Sequence, residues 1–166
     1  MERLSFSPKL VVFDLDGTLI DSSGDIASAV NRFRTSRGGS HLTEETVRGA
    51  VGHGARELCK ALLTDLAMAD ESTEDLYQAF RAIYIEEAGL PDHQIRWLPG
   101  ALELLQHLNQ RQIAGAILTN KPRRVTEVLR PQLTKAFPWK QIYCPEDAGT
   151  PKPDPAGLHQ LMDLNQ

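Results

Sequence analysis

The sequence predicts an α/β protein in which a parallel sheet flanked by helices is interrupted early by a block of helices. Three observations carry this. The runs at residues 10–13, LVVF, and 113–120, IAGAILTN, are apolar and rich in residues that favour strands, as in a sheet covered on both faces. From about residue 21 to residue 93 the apolar positions recur at helical spacing, with no strand signal. Beyond that block, helix and strand patterns alternate, which is the signature of parallel β-α units. The architecture implied is a Rossmann-like core, residues 1–20 and 94–166, with an α-helical cap, residues 21–93, inserted after the first strand.

Each element has a local reason. After the first strand, Ser22 or Ser23 can cap a helix carrying Ile26, Val30 and Phe33, and Gly38-Gly39 ends it. Thr43 can cap a short helix through Val47. Gly52-His53-Gly54 reads as a loop before a helix with Leu58, Leu62 and Leu66 on one face. Ser72 followed by Asp75 resembles a capping box, and its helix presents Leu76, Phe80 and Ile83 before Gly89. Pro99-Gly100 opens a helix with Leu102, Leu105 and Leu108. Pro122 fits the first turn of a helix carrying Val125, Val128 and Leu129. QIYC at 141–144 is a third, weaker strand, GTPKPDP a rigid loop, and 155–166 a final helix with Leu158, Leu161 and Met162 inward. Trp97 and Trp139 are expected to fill gaps beneath helices.

Composition excludes several classes. Of 166 residues, 41% are hydrophobic and 24% charged, an ordinary globular balance, and the net charge is -4. No basic stretch suits nucleic acid, and Arg123-Arg124 is too short to form a patch. No apolar run approaches the roughly 20 residues of a membrane span, and no leader pattern is evident. Cys59 and Cys144 are far apart and read as reduced apolar fillers. The expectation is a cytoplasmic protein. His41, His93, His107 and His159 show no zinc-type spacing and read as surface residues.

In open α/β sheets, ligands gather at the carboxyl ends of the strands. Asp14 and Asp16 follow the first strand, Thr119 and Asn120 end the second, and Lys152 lies on the loop after the third. These types suit phosphoryl transfer. Asp14 can attack phosphorus, and Asp16 can protonate a leaving alcohol and then activate water. Gly17 allows a tight turn and close backbone approach to a phosphate. Thr119 can hold phosphate oxygens, Asn120 is expected to contact substrate beside it, and Lys152 can neutralise charge on Asp14 and the transferring group. Two clustered carboxylates facing a phosphate also call for a hard cation, with Asp14 and Asp16 as ligands of Mg2+. Taken singly, each residue has a plainer reading: an Asp-x-Asp turn, a helix cap at Thr119, a turn at Asn120, a surface lysine at Lys152.

DLDGT at 14–18, LTN at 118–120 and KPDP at 152–155 resemble three motifs of the haloacid dehalogenase superfamily. Within it, FDLDGTLIDS, VGHGARELCKALL, PGALELLQHL and TNKP are similar to the phosphoglycolate phosphatase group. The resemblance implies a Mg-dependent phosphatase acting on a small anionic phosphomonoester, with 2-phosphoglycolate the leading candidate. It implies Asp14 as nucleophile, Asp16 as general acid/base, Thr119 as phosphate ligand and Lys152 as the neutralising lysine. It also places His53, Gly54 and Arg56 on a cap loop facing the site, with Arg56 meeting a substrate carboxylate. The alternative for Arg56 is a surface ion pair with Glu57 or a nearby acid, and for Lys121 a side chain extending into solvent.

One family feature has no counterpart here. The fourth motif, a strand followed by Gly-Asp and a further acid, is expected beyond Lys152, but GLHQLMDLNQ reads as a helix. Without those acids the Mg2+ site keeps Asp14, the Asp16 carbonyl, water and substrate phosphate, and binding is expected to be weak. The first strand is expected to have an open apolar edge that invites self-association. A fragment, a shortened protein and a site completed by another copy all fit this pattern. Competing functions are a catalytically impaired module binding a phosphorylated ligand or a partner, and a sugar-phosphate mutase relative.

Overall fold

The computed structural model describes residues 8–90 and 96–164. Strand β1 is Leu10–Phe13. A two-residue strand, β2 at Ile20–Asp21, precedes four helices: α1 Ser23–Ser36, α2 Glu44–Arg48, α3 Ala55–Leu62 and α4 Thr73–Ala88. After β3 at Arg96–Trp97 come α5 Ala101–Gln110, β4 Ala114–Leu118, α6 Arg123–Ala136, β5 Gln141–Tyr143, α7 Pro145–Ala148 and α8 Ala156–Asp163. The α/β layout and the inserted helices agree with expectation. The expected cap boundary at 93/94, and His93 with it, lies outside the described residues.

The main sheet has the order β1-β4-β5, all parallel. Among the described residues β1 pairs only with β4, so three of its four residues are half-buried rather than covered on both faces. Side chains alternate between the two faces as the pleat requires. Phe13, Ile117 and Ile142 pack with Leu105, Leu129, Leu133 and Phe137 on one side. Ala116 and Leu118 meet Leu161 on the other, beside Val12 and Tyr143. Gly115 is needed for close approach: a Cβ there would meet the Phe137 ring at 2.6 Å and Trp139 at 3.2 Å.

The helical block has its own core of Val30, Phe33, Val47, Leu58, Leu63, Leu76 and Phe80, which Val125 of α6 joins. Helix α6 is therefore a wall shared by sheet and block. Thr43 caps α2 by accepting from Thr46 N. Ser72 and Asp75 form the expected capping box of α4, worth about 1 kcal/mol.

Several expectations fail in detail. Ile20–Asp21 pairs antiparallel with Arg96–Trp97, a ribbon at the base of the block where no strand was expected. Ser22 stands at the N-cap of α1, but its hydroxyl donates to Asp16 instead of capping. Leu66 lies in a 3-10 turn, Thr64–Leu66, beyond the end of α3. Leu102, Leu158 and Met162 are exposed, because α5 turns Ala101, Leu105 and Leu108 inward and α8 turns only Leu161 fully inward. Ile83 is partly buried, and Tyr77 and Tyr84 take the inward positions of α4. Trp97 and Trp139 pack partly buried against the sheet core, as expected. Among the described residues, no helix is long and apolar enough to cross a membrane.

Both thiols are buried. Burial pushes Cys59 up from 9.0 to about 12, and raises Cys144 as well. The native chain at pH 8 is expected to leave both thiols unmodified by iodoacetamide, whereas denaturant exposes them; mass spectrometry counts the adducts. Cys59 keeps its proton in the folded chain to higher pH than in the unfolded one. Its contribution to stability therefore falls as pH rises from 9.0 towards about 12.

Candidate active site

The chain leaves β1 at Asp14 and turns at once. Leu15 and Leu19 are fully buried and pin the loop. Between them Gly17 adopts φ 78°, a left-handed conformation that a side chain would strain, and its N–H donates to Ile20 O at 2.8 Å. This turn holds Asp14 and Asp16 at the end of the sheet. At the next strand end, Thr119 N donates to Tyr143 O at 3.0 Å, which extends the pairing of β4 with β5 by one step.

Asp14, Asp16, Thr119 and Asn120 line one narrow cavity of about 30 Å³, closed above by Gly52, Gly54, Phe80 and Tyr84 of the helical block. Lys152 reaches the same point from its loop: Nζ lies 2.6 Å from Asp14 Oδ1 and donates to Leu118 O at 2.9 Å. Asp14 Oδ1 also accepts from Leu15 N at 2.7 Å.

Asp16 is held differently. Its Oδ1 accepts from Ser22 Oγ at 2.6 Å and from Lys121 Nζ at 3.0 Å. Lys121 is thus a correction to the reading of a solvent-directed side chain. It is 5% exposed and donates also to the Tyr84 hydroxyl at 2.7 Å. Burial alone would lower its affinity for protons, but the Asp16 carboxylate and then Tyr84 more than offset this, and the ammonium is held above its usual range. Burial raises the Tyr84 hydroxyl. Neither Lys121 nor Tyr84 stood out as a site residue in the sequence; the only signal was Lys121 within TNKP.

Thr119 accepts from Lys121 N at 3.0 Å through its hydroxyl. The Asn120 side chain is occupied by backbone. Nδ2 donates to Lys152 O at 3.0 Å and Gly52 O at 3.3 Å, while Oδ1 accepts from Lys152 N at 2.8 Å. Its amide thus ties the lysine loop and the block's loop to the end of β4, in place of the substrate contact expected of it. Gly17 lies on the outer side of Asp16 rather than in the shared cavity.

His53 and Arg56 do not line the first cavity, and Arg56 takes the alternative expected of it, a surface ion pair with a nearby acid. Both are exposed and line a second cavity of about 410 Å³, which adjoins the first through Gly54, Ala55, Asn120 and Pro122. Arg56 is bidentate to Glu74, at 3.0 Å from each nitrogen, and lies over the Tyr77 ring. The alternative partner, Glu57, pairs with Lys60.

Among the described residues, no group of three or more His, Cys, Asp or Glu could hold a metal ion. Asp14 offers a carboxylate and Asp16 its backbone carbonyl at one strand end, a donor set that fits Mg2+, which binds through one or two carboxylates and keeps much of its water; the Asp16 carboxylate itself is taken by Ser22 and Lys121.

Removing the Asn120 amide is expected to free Lys152 while leaving the strand intact. In steady-state kinetics, Asn120→Ala is predicted to lower kcat by up to about 10²-fold, since a misplacement of about 1 Å costs that much. Far-UV circular dichroism checks that the fold is kept.

The sequence profile of haloacid dehalogenase-like hydrolases matches residues 11–166. The chain is 36% identical over 160 residues to a phosphoglycolate phosphatase of Pseudomonas fluorescens, covering 95% of this chain and 58% of that protein. It is 32% identical over 160 residues to a phosphoglycolate phosphatase of Vibrio parahaemolyticus, covering 95% and 70%. The crystal structure of a predicted phosphoglycolate phosphatase from Haemophilus somnus superposes with a TM-score of 0.80 at 23% identity, covering 95% of this chain and 72% of that one.

Proposed function

The chain belongs to the haloacid dehalogenase-like hydrolase family, and from that premise we propose that it hydrolyses phosphomonoesters through an aspartyl-phosphate. It spans 58% of the length of the Pseudomonas fluorescens relative, so the activity is argued from its own residues. One observation carries the reading: Asp14 is ion-paired to Lys152 at 2.6 Å, and Asp16 shares its cavity.

The Asp14 carboxylate attacks phosphorus, and the bond from phosphorus to the ester oxygen breaks. Asp16, a carboxylate in the free protein, takes up a proton from solvent as the ester binds and gives it to that oxygen, so the alcohol leaves neutral. Asp16 then takes a proton from water, which attacks the aspartyl-phosphate and releases inorganic phosphate. Lys152 offsets charge on Asp14 and on the transferring group, while the Thr119 hydroxyl, as donor, holds a phosphate oxygen. Mg2+ held by the Asp14 carboxylate and the Asp16 backbone carbonyl would supply further charge neutralisation at the phosphoryl oxygens.

For the substrate we favour 2-phosphoglycolate or a similarly small anionic phosphomonoester, a reading supported by the names of the relatives. The leaving group would extend towards the second cavity, where Arg56 can meet a carboxylate by exchanging Glu74 for it.

Phosphate release from 2-phosphoglycolate and from an aryl phosphate, with and without Mg2+, tests the activity. Asp14→Asn is expected to lower kcat on the order of 10⁴-fold or more, as loss of a nucleophile does. Undiminished turnover by this variant would sink the mechanism. Arg56→Ala is expected to raise KM for 2-phosphoglycolate more than for the aryl phosphate. Equal changes would remove Arg56 from substrate recognition.

A further inference from the structure

The groups that fix Asp16 come from two different parts of the chain. Lys121, just beyond β4, donates to Asp16 Oδ1 at 3.0 Å and Oδ2 at 3.3 Å. Tyr84, on α4 of the helical block, takes another of its protons at 2.7 Å. The Lys121 side chain is 3% exposed. Tyr84 is fixed in turn by stacking on Phe80 at 5.7 Å, and Phe80 meets Phe33 edge-on at 6.0 Å. The phenol therefore sits at the end of a rigid aromatic row inside the block.

A buried ammonium is costly unless it is paired and hydrogen-bonded. Folding alone would be served as well by an apolar pair in place of Lys121 and Asp16 together. The arrangement retains a charge, points it at both oxygens of one carboxylate, and completes its bonding with a hydroxyl from the opposite unit. That is the construction expected where an acid must be held in one orientation.

We propose that Lys121 and Tyr84 are positioning residues for Asp16: the ammonium, oriented by the phenol of the helical block, sets the carboxyl for the leaving-group oxygen. The acid–base step then depends on the block being seated on the sheet, because any separation removes Tyr84 from Lys121. The proposal rests on the reading of Asp16 as the acid–base group.

Leaving-group chemistry separates positioning from a structural role. An alkyl phosphate needs its departing oxygen protonated, whereas an aryl phosphate with an electron-withdrawing ring needs this far less. Wild type, Asp16→Asn, Lys121→Met and Tyr84→Phe are compared on both substrates. The last two variants are expected to lose about 10- to 100-fold in kcat/KM on the alkyl ester, part of what a general acid supplies, with a clearly smaller loss on the aryl ester, because kcat/KM reports the transfer to Asp14 and not the water step that both esters share. Tyr84→Phe keeps the ring and carries the test if Lys121→Met fails to fold. Equal losses on both esters, with Asp16→Asn still selective, overturn the proposal. An unselective Asp16→Asn overturns instead the reading of Asp16. As a readout independent of turnover, the Lys121 ammonium is expected as a slowly exchanging 15N–1H signal that Tyr84→Phe broadens. Absence of that signal in the wild type overturns the proposal.

Discussion

Parallel pairing of β1, β4 and β5 sets Phe13 beside Ile117 and Leu118 beside Tyr143, so the chain leaves all three strands on the same rim of the sheet. Everything polar in the site depends on that register. A slip of one residue would invert every side chain and send Ile117 and Phe13 to the wrong face. The register is secured by the alternation of Phe13, Ile117 and Ile142 towards α5 and α6 with Val12, Ala116 and Leu118 towards α8, and by Gly115, where Phe137 and Trp139 come too close for a side chain.

The rim alone does not make a site, because Lys152 and the loop at Gly52 arrive from distant parts of the chain. The Asn120 amide joins them, since a carboxamide presents donors and an acceptor together. Aspartate at that position would keep the acceptor for Lys152 N and lose both donations. Above this junction, Val125 belongs to the core of the helical block although it lies on α6. The block is thus packed on the sheet through apolar contact as well as through Tyr84 and Lys121.

Asp14, Asp16, Thr119 and Lys152 were legible in the sequence because each follows an apolar run or sits in a proline-rich loop, and strand ends are where such a sheet gathers its chemistry. The helices were legible from their spacing and caps. What escaped notice has a common cause. Lys121 and Asp16 are separated by 105 residues and Tyr84 and Lys121 by 37, and no local pattern marks a contact made across the fold. The β2–β3 ribbon has two residues a side, too few for alternation to register. Leu102, Leu158 and Met162 follow helical spacing, but the part of the sheet beneath α8 is small, and Leu161 alone is fully buried against it.

The two acids are paired to two lysines under very different conditions, and the difference bears on what can change during turnover. Asp14 and Lys152 are 35% and 27% exposed at their side chains, so water screens them and their bond can be exchanged for one to a phosphate at little cost. Asp16 and Lys121 are 12% and 3% exposed, where separating the charges would leave each uncompensated. The first pair is therefore free to reorganise when an anion arrives, and the second resists it. Formally, two carboxylates and two ammonium groups cancel, so the cavity without a ligand has little net charge with which to draw in a cation. Under the proposed mechanism a phosphate dianion would bring that charge, and a divalent cation would then be more favourably held with the substrate than without it.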